Sequence, residues 1–240
     1  MTPALLERLL AARRTGNPMA LATLIPGGAQ ALVDGTTAEG ELALAPDDLA
    51  KIRTAIDDDT SRTIETSLGP VFVEVWNPPL RLVVVGAVHI GQALAPMAAL
   101  AGYKVTVIDP RAAFASAERF PDVEIVVDWP DDVLAGLRPD KRTAIVTLTH
   151  DPKIDDPALS AALRSGAFYI GALGSRRTHA KRAERLAAAG FGPAEFARIR
   201  GPVGLAIGAL TPAEIALSVL AEITAVLHRA ALAVRPGDAA

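Results

Sequence analysis

Beyond residue 80 the chain alternates short apolar runs with longer segments of helical period. Residues 82–85, 104–108, 124–127, 144–148 and 168–170 are runs of β-branched or otherwise apolar residues, the pattern of strands buried on both faces. Between them an alanine- and leucine-rich segment runs to Ala101 and is closed by Gly102, and further helices are predicted near 131–137, 157–164 and 178–189. Thr211, Pro212 and Glu214 supply a cap, a first-turn proline and a capping-box acid for a last helix ending near Arg229. This alternation predicts an α/β domain built on a Rossmann-like, mainly parallel sheet of five or more strands with right-handed crossovers.

The first 77 residues follow another pattern. Residues 2–14 predict an amphipathic helix with Thr2 as cap, Pro3 in the first turn, and Leu5, Leu6, Leu9 and Leu10 on one face. Strands are predicted at 19–25, 30–33 and 41–44, a helix at 46–56, and a hairpin from 62–66 and 71–76. The result is a small α+β domain over residues 1–77. Asn77-Pro78-Pro79 stops both helix and central strand, so the second domain is placed at 80–232, with 233–240 as a tail.

Composition changes this picture little but excludes several classes. The formal net charge is −3, which removes the concentrated positive field of a nucleic-acid binder. Residues 82–103 form a 22-residue stretch without a formal charge, but its three glycines, Pro96, Gln92 and His89 suit strand, turn and helix better than a membrane span. The start of the chain lacks the pattern of a signal peptide. With no cysteine, disulfides, thiolate metal sites and a cysteine nucleophile are excluded, and a reducing, cytoplasmic setting is expected.

Four places could carry chemistry. In the turn after the first strand, Gly86, Val88 and Gly91 occupy the first, third and sixth positions of a dinucleotide-binding fingerprint. Valine at the third position crowds a diphosphate and disfavours positive φ, so ordinary NAD binding is not expected. His89 sits in the same turn, either facing the ligand or simply exposed, and Asp109, ending the next strand, could accept a ligand hydroxyl. Second, Thr149-His150-Asp151 follows a strand end, where His150 could act as acid or base, or Thr149 and Asp151 could be turn formers with Pro152 closing the strand. Third, Gly171 to Arg177 lies past another strand, with Ser175 as a helix cap. Arg176, Arg177, His179, Lys181 and Arg182 crowd that helix start against the macrodipole; either a bound phosphate resolves the conflict or the stretch is a solvated basic face partly offset by Glu184. Fourth, residues 201–213 are thirteen uncharged residues containing Gly204 and Gly208, either a buried connector or a ligand loop.

Six stretches taken in order resemble the XdhC/CoxI family, maturation factors of xanthine dehydrogenase and related molybdenum hydroxylases. They are GAVHIGQALA at 86–95, VTVIDPR at 105–111, ERFPD at 118–122, TLTHD at 147–151, YIGALGSRR at 169–177 and PVGLAIGALTPAEIALSVLAEI at 202–223. The resemblance implies a Rossmann-type domain and a chaperone that binds molybdenum cofactor (molybdopterin), protects it, and delivers it to a client such as xanthine dehydrogenase. Sulfuration of the cofactor by a cysteine desulfurase belongs to the same expectation, while the apolar last helix could pack either on the sheet or on another subunit of a homodimer. The loops at Gly86 and Gly174 would hold the phosphate or nucleotide tail. The full cofactor-binding set is Gly86, His89, Ile90, Gly91, Asp109, Arg111, Thr149, His150, Asp151, Gly171, Gly174, Ser175, Arg176, Arg177, Gly204 and Gly208, with no metal-ligand set. The chain departs from the family at Val88, where glycine is usual, at Ala206, where aspartate is usual, and over residues 34–44, which are short and lack a cysteine. An NAD(P)-dependent oxidoreductase using His150, or a ligand-free regulatory or interaction protein, are the alternatives.

Overall fold

A computed structural model describes residues 1–230 and resolves the chain into two compact units, Met1–Pro78 and the remainder from Pro79 on. The predicted 233–240 tail lies outside the described residues.

In the first unit, helix α1 (Pro3–Thr15) starts at Thr2, whose hydroxyl accepts the Leu5 amide, and ends at Gly16 in the left-handed region. Strands β1 (Met19–Leu24), β2 (Gln30–Val33), β3 (Ala38–Gly40), β4 (Arg62–Thr66) and β5 (Gly69–Trp76) form an antiparallel sheet ordered β3-β2-β1-β5-β4. Alternate residues of β1 serve two cores. Met19 and Leu21 meet Leu5 and Leu9 of α1, whereas Ala20 and Ala22 pack with Ile52, Ala55 and Ile56 of α2 (Pro46–Asp57). The third strand lies at 38–40 and not at the predicted 41–44. Asp34 closes the turn before it, accepting the Thr36 and Thr37 amides at 2.7 and 2.5 Å, and so returns the chain early enough for Ala38 to pair with Val33. Burial raises the Asp34 pKa, but those bonds and the threonine hydroxyls outweigh it and hold the carboxyl at about 2.

The second unit is a mixed α/β fold with a six-stranded parallel sheet. Its strands are β6 (Arg81–Val85), β7 (Lys104–Ile108), β8 (Glu124–Val126), β9 (Thr143–Thr147), β10 (Tyr169–Ala172) and β11 (Ile199–Arg200), ordered β11-β10-β9-β6-β7-β8. Numbered within the unit this is the doubly wound order 3-2-1-4-5-6, with the reversal of winding between β6 and β9. Each central strand buries both faces. Leu82 and Val84 point to α3 (His89–Leu100) and α8 (Pro212–Leu227), packing with Leu94, Ala98, Val219 and Ile223. Val83 and Val85 point to the opposite layer of α4 (Pro130–Leu137), α5 (Pro152–Leu163) and α6 (Arg176–Ala188), packing with Leu134, Ile154, Leu159 and Leu186.

Two boundaries differ from the sequence reading in ways that matter for the site. Helix α5 begins at Pro152, five residues before the predicted start, because Asp151-Pro152 and Asp156-Pro157 carry the same acid-proline start signal and the first is used: Asp151 caps the helix by accepting the Lys153 amide. Strand β10 extends through Gly171 and Ala172, which pair with Val146 and Thr147. Gly171 is therefore a strand residue and not part of the following loop. A short helix α7 (Pro193–Phe196) and β11 are additions to the predicted elements. Among the described residues no helix is long and apolar enough to cross a membrane.

Candidate functional site

The carboxyl ends of β6 and β9 meet at the winding reversal, where doubly wound sheets bind ligands. The turn after β6 opens at Gly86 with φ +112°; a methyl group built there would stand 2.6 Å from the Thr149 side-chain methyl. A side chain is therefore excluded on both conformational and steric grounds. Gly91 fits the fingerprint's third glycine, since a β-carbon there would approach the Gly86 carbonyl to 3.1 Å and force helix from strand. Val88 takes φ −97° and ψ 173°, extended values that valine adopts freely, so its β-branching strains nothing. It stands at the N-cap of α3 without capping it by a side chain, which leaves the first-turn amides, among them those of His89 and Ile90, available to an anion. His89 is exposed and Ile90 half-buried.

Asp109 does something other than wait for a hydroxyl. Fully buried, it accepts the backbone amide and Nε of Arg111 on Oδ1 at 3.0 and 2.8 Å, and the Ala87 amide and Arg111 Nη2 on Oδ2, both at 2.8 Å. Four donors fill a carboxylate's capacity. Burial raises its pKa, but the Arg111 side chain and the two amides more than compensate and hold it below the usual range. The Arg111 guanidinium lies 4.4 Å from the Phe114 ring centre. Arg119 completes the clamp, donating to the Ala87 carbonyl at 2.9 Å and to Gln92 Oε1 at 3.1 Å. With both polar groups of Ala87 occupied, the turn is a rigid support.

The second loop adjoins a cleft of about 260 Å³ between the first turns of α5 and α6. His150, with φ +63°, is exposed at its rim. Thr149 donates from Oγ1 to Asp155 Oδ1 at 2.6 Å. Asp155 and Arg182, each 1% exposed, line the cleft from below. Arg182 Nη2 donates to the Leu173 carbonyl at 2.9 Å but stays 3.8 Å from Asp155 Oδ2. Burial dominates both groups: it raises the Asp155 pKa despite the Thr149 bond and Arg182, and lowers that of Arg182 despite Asp155 and Asp156. From α6 come Arg177, Lys181 and Arg185, spaced four apart on one helix face. Arg185 is engaged by Asp156 through both carboxylate oxygens. Ser175 caps α6 by accepting the Thr178 amide at 3.2 Å.

The structure thus brings His150 and Arg177 to one cleft, with Thr149 bonded to its floor. Arg176 is exposed and outside the cleft wall, and Gly174 and Ser175 form the turn leading to it. Asp155, Lys181 and Arg182 are outside the sequence-derived set. In the sequence Lys181 and Arg182 register only as charge, and Asp155 falls before the predicted helix start. Gly171 and Gly204 have packing roles. A β-carbon on Gly171 would meet Val203 Cγ2 at 2.6 Å. The Gly204 amide donates at 3.0 Å to buried Glu222, which also accepts the Tyr169 hydroxyl at 2.5 Å, but the stretch is not a buried connector: Val203 is its one buried residue, and Ile207 and Leu210 are exposed. Gly208 is exposed on the surface. Among the described residues no cluster of three or more histidine, aspartate or glutamate side chains could hold a metal ion.

Comparison with known proteins gives the same frame. The XdhC Rossmann domain matches residues 82–223, more than half of the chain. The chain is 36% identical over 155 residues to the molybdenum cofactor insertion chaperone PaoD of Escherichia coli, covering 64% of this chain and 42% of that protein. It is 34% identical over 182 residues to a probable xanthine dehydrogenase subunit of Bacillus subtilis, covering 72% of this chain and 53% of that one. A crystal structure described as a xanthine dehydrogenase from Bacillus halodurans superposes with a TM-score of 0.70 at 26% identity, over 97% of this chain and 66% of that one. The chain therefore spans about half the length of these two curated relatives.

Proposed function

The chain belongs to the XdhC family, and from that membership we infer that it binds molybdenum cofactor and helps insert it into a molybdenum hydroxylase of the xanthine dehydrogenase type. The observation that carries this reading is a donor set at the sheet's carboxyl edge suited to an anionic, phosphate-bearing ligand, in a chain similar to a cofactor insertion chaperone. The uncapped first turn of α3 and the cations of α6 would hold the anionic end. Gly86 and Thr149 would form the base against which the rest of the ligand lies. The bound cofactor would bring the molybdenum centre on which the client's chemistry depends. This chain's residues would orient the cofactor, the role of a carrier acting in the cytoplasm.

Sulfuration by a partner cysteine desulfurase before delivery, and assembly as a homodimer, extend the same proposal. An NAD(P)-dependent oxidoreductase fits the geometry less well. The acid at the end of β7, which would receive a ribose hydroxyl, has no lone pair to spare. Equilibrium binding of the purified chain to molybdenum cofactor, with NADH titrated in parallel, tests the choice. Saturable binding of the cofactor alone is expected; binding of NADH alone would replace this reading with the oxidoreductase.

A further inference from the structure

The geometry points to a subsite for a phosphate monoester in the cleft between α5 and α6, held by Arg177 and Lys181 with His150 at its rim and Asp155 and Arg182 beneath. The natural ligand's identity rests on the cofactor reading; the anion chemistry does not. Two independent observations meet here. One is the stripe of α6. Arg177, Lys181 and Arg185 follow at intervals of four, and like charges so placed disfavour a helix. Cations near a helix start oppose its dipole as well. Asp156 offsets Arg185, but among the described residues Arg177 and Lys181 make no ion pair.

The other observation is buried. Arg182 Nε and Asp155 Oδ2 have no hydrogen-bond partner, although both residues are 1% exposed and both line the cleft. A buried polar atom left unpaired is costly, and the cleft is the open space that both residues line. A phosphate monoester supplies what both lack. Its anionic oxygens accept from a guanidinium, and a proton on the carboxyl joins it to Asp155. The volume of about 260 Å³ leaves room for the first atoms of the group bearing the phosphate. The charged groups on the cleft wall are four cations and Asp155, an excess that favours a dianion over a neutral ligand.

The test is calorimetric titration of the full chain with inorganic phosphate, on the wild type and on Arg177→Ala, Lys181→Ala and Lys153→Ala, with thermal melts to verify folding. Lys153 is an exposed cation in the first turn of α5 outside the cleft wall. Single-site binding is expected, weakened about tenfold, or roughly 1.4 kcal/mol, by either cleft substitution and unchanged by Lys153→Ala. Absence of binding at millimolar phosphate overturns the subsite, and so does an equal loss in Lys153→Ala, which would mark a diffuse basic face. Repeating the series with molybdenum cofactor separates the two proposals. Phosphate binding in a chain that ignores the cofactor removes the carrier reading alone, and cofactor binding in a chain whose phosphate binding is absent or indifferent to Arg177→Ala and Lys181→Ala removes the subsite alone.

Discussion

Two buried aspartates in the second unit show how environment decides what a carboxylate does. Asp109 meets four donors, so its charged form is favoured and its pKa falls; Asp155 meets one close donor and a distant guanidinium, so burial wins and its pKa rises. The stability consequences have opposite signs. A depressed carboxyl contributes stability above its unfolded pKa that is lost as pH falls through the folded value. Asp109→Asn should therefore lower the urea-derived unfolding free energy by about 2–3 kcal/mol at neutral pH, a difference that closes on acidification. A raised carboxyl binds its proton more tightly when folded, so stability falls as pH rises from the unfolded value through the folded one. Asp155→Asn keeps an acceptor for Thr149 and is expected to be more stable than the wild type in urea at neutral pH, with the gain vanishing in acid. The sequence showed Asp109 at a strand end, where an acid is expected to greet a ligand. What it did not show is that Arg111, two residues on, folds back on it, because whether a side chain turns inward depends on the cavity it finds.

At the scale of elements, starts are more legible where the chain offers one signal than where it offers two. Thr2-Pro3 and Thr211-Pro212-Ala213-Glu214 each mark a helix start, and the structure places both caps there. Asp151-Pro152 and Asp156-Pro157 compete five residues apart, and only packing of Ile154 into the core decides between them. That five-residue difference hides Asp155. The end of β10 is obscured for a related reason: Gly171 reads locally as a turn residue, and only the packing of Val203 across it explains a strand glycine. Helix α6 shows a local rule in tension with its surroundings. Its first turns are cationic, yet Ser175 fastens the start. Ser175→Ala should cost about 1 kcal/mol in a denaturation experiment, and added phosphate should recover part of it if the anion sits where the cations gather.

At the scale of the whole chain, the α/β alternation after residue 80 makes the parallel sheet legible, and the glycine-bounded turn locates its first strand. The order of strands is not written in the chain; it follows from which strands can bury both faces, and the two- and three-residue strands β11 and β8 take the edges. The family resemblance supplied a function class that periodicity could not. His150 and the cations of α6 are visible in the sequence, but the cleft they wall is not, since they arise on separate elements and meet only after folding.

Thr149 stands where these scales join. Its methyl lies against Gly86, and its hydroxyl is bonded to Asp155. One side chain thus works as a hinge pin between the turn after β6 and the floor of the cleft, so that neither can shift without the other registering it. Thr149→Val keeps the methyl and releases the acid, while Thr149→Ser keeps the bond and frees the glycine. Phosphate affinity should fall in the valine variant and persist in the serine variant, whereas amide exchange in the Gly86 turn should quicken only in the serine variant. The pair would show that what the cleft holds is felt, through a single residue, at the turn beside it.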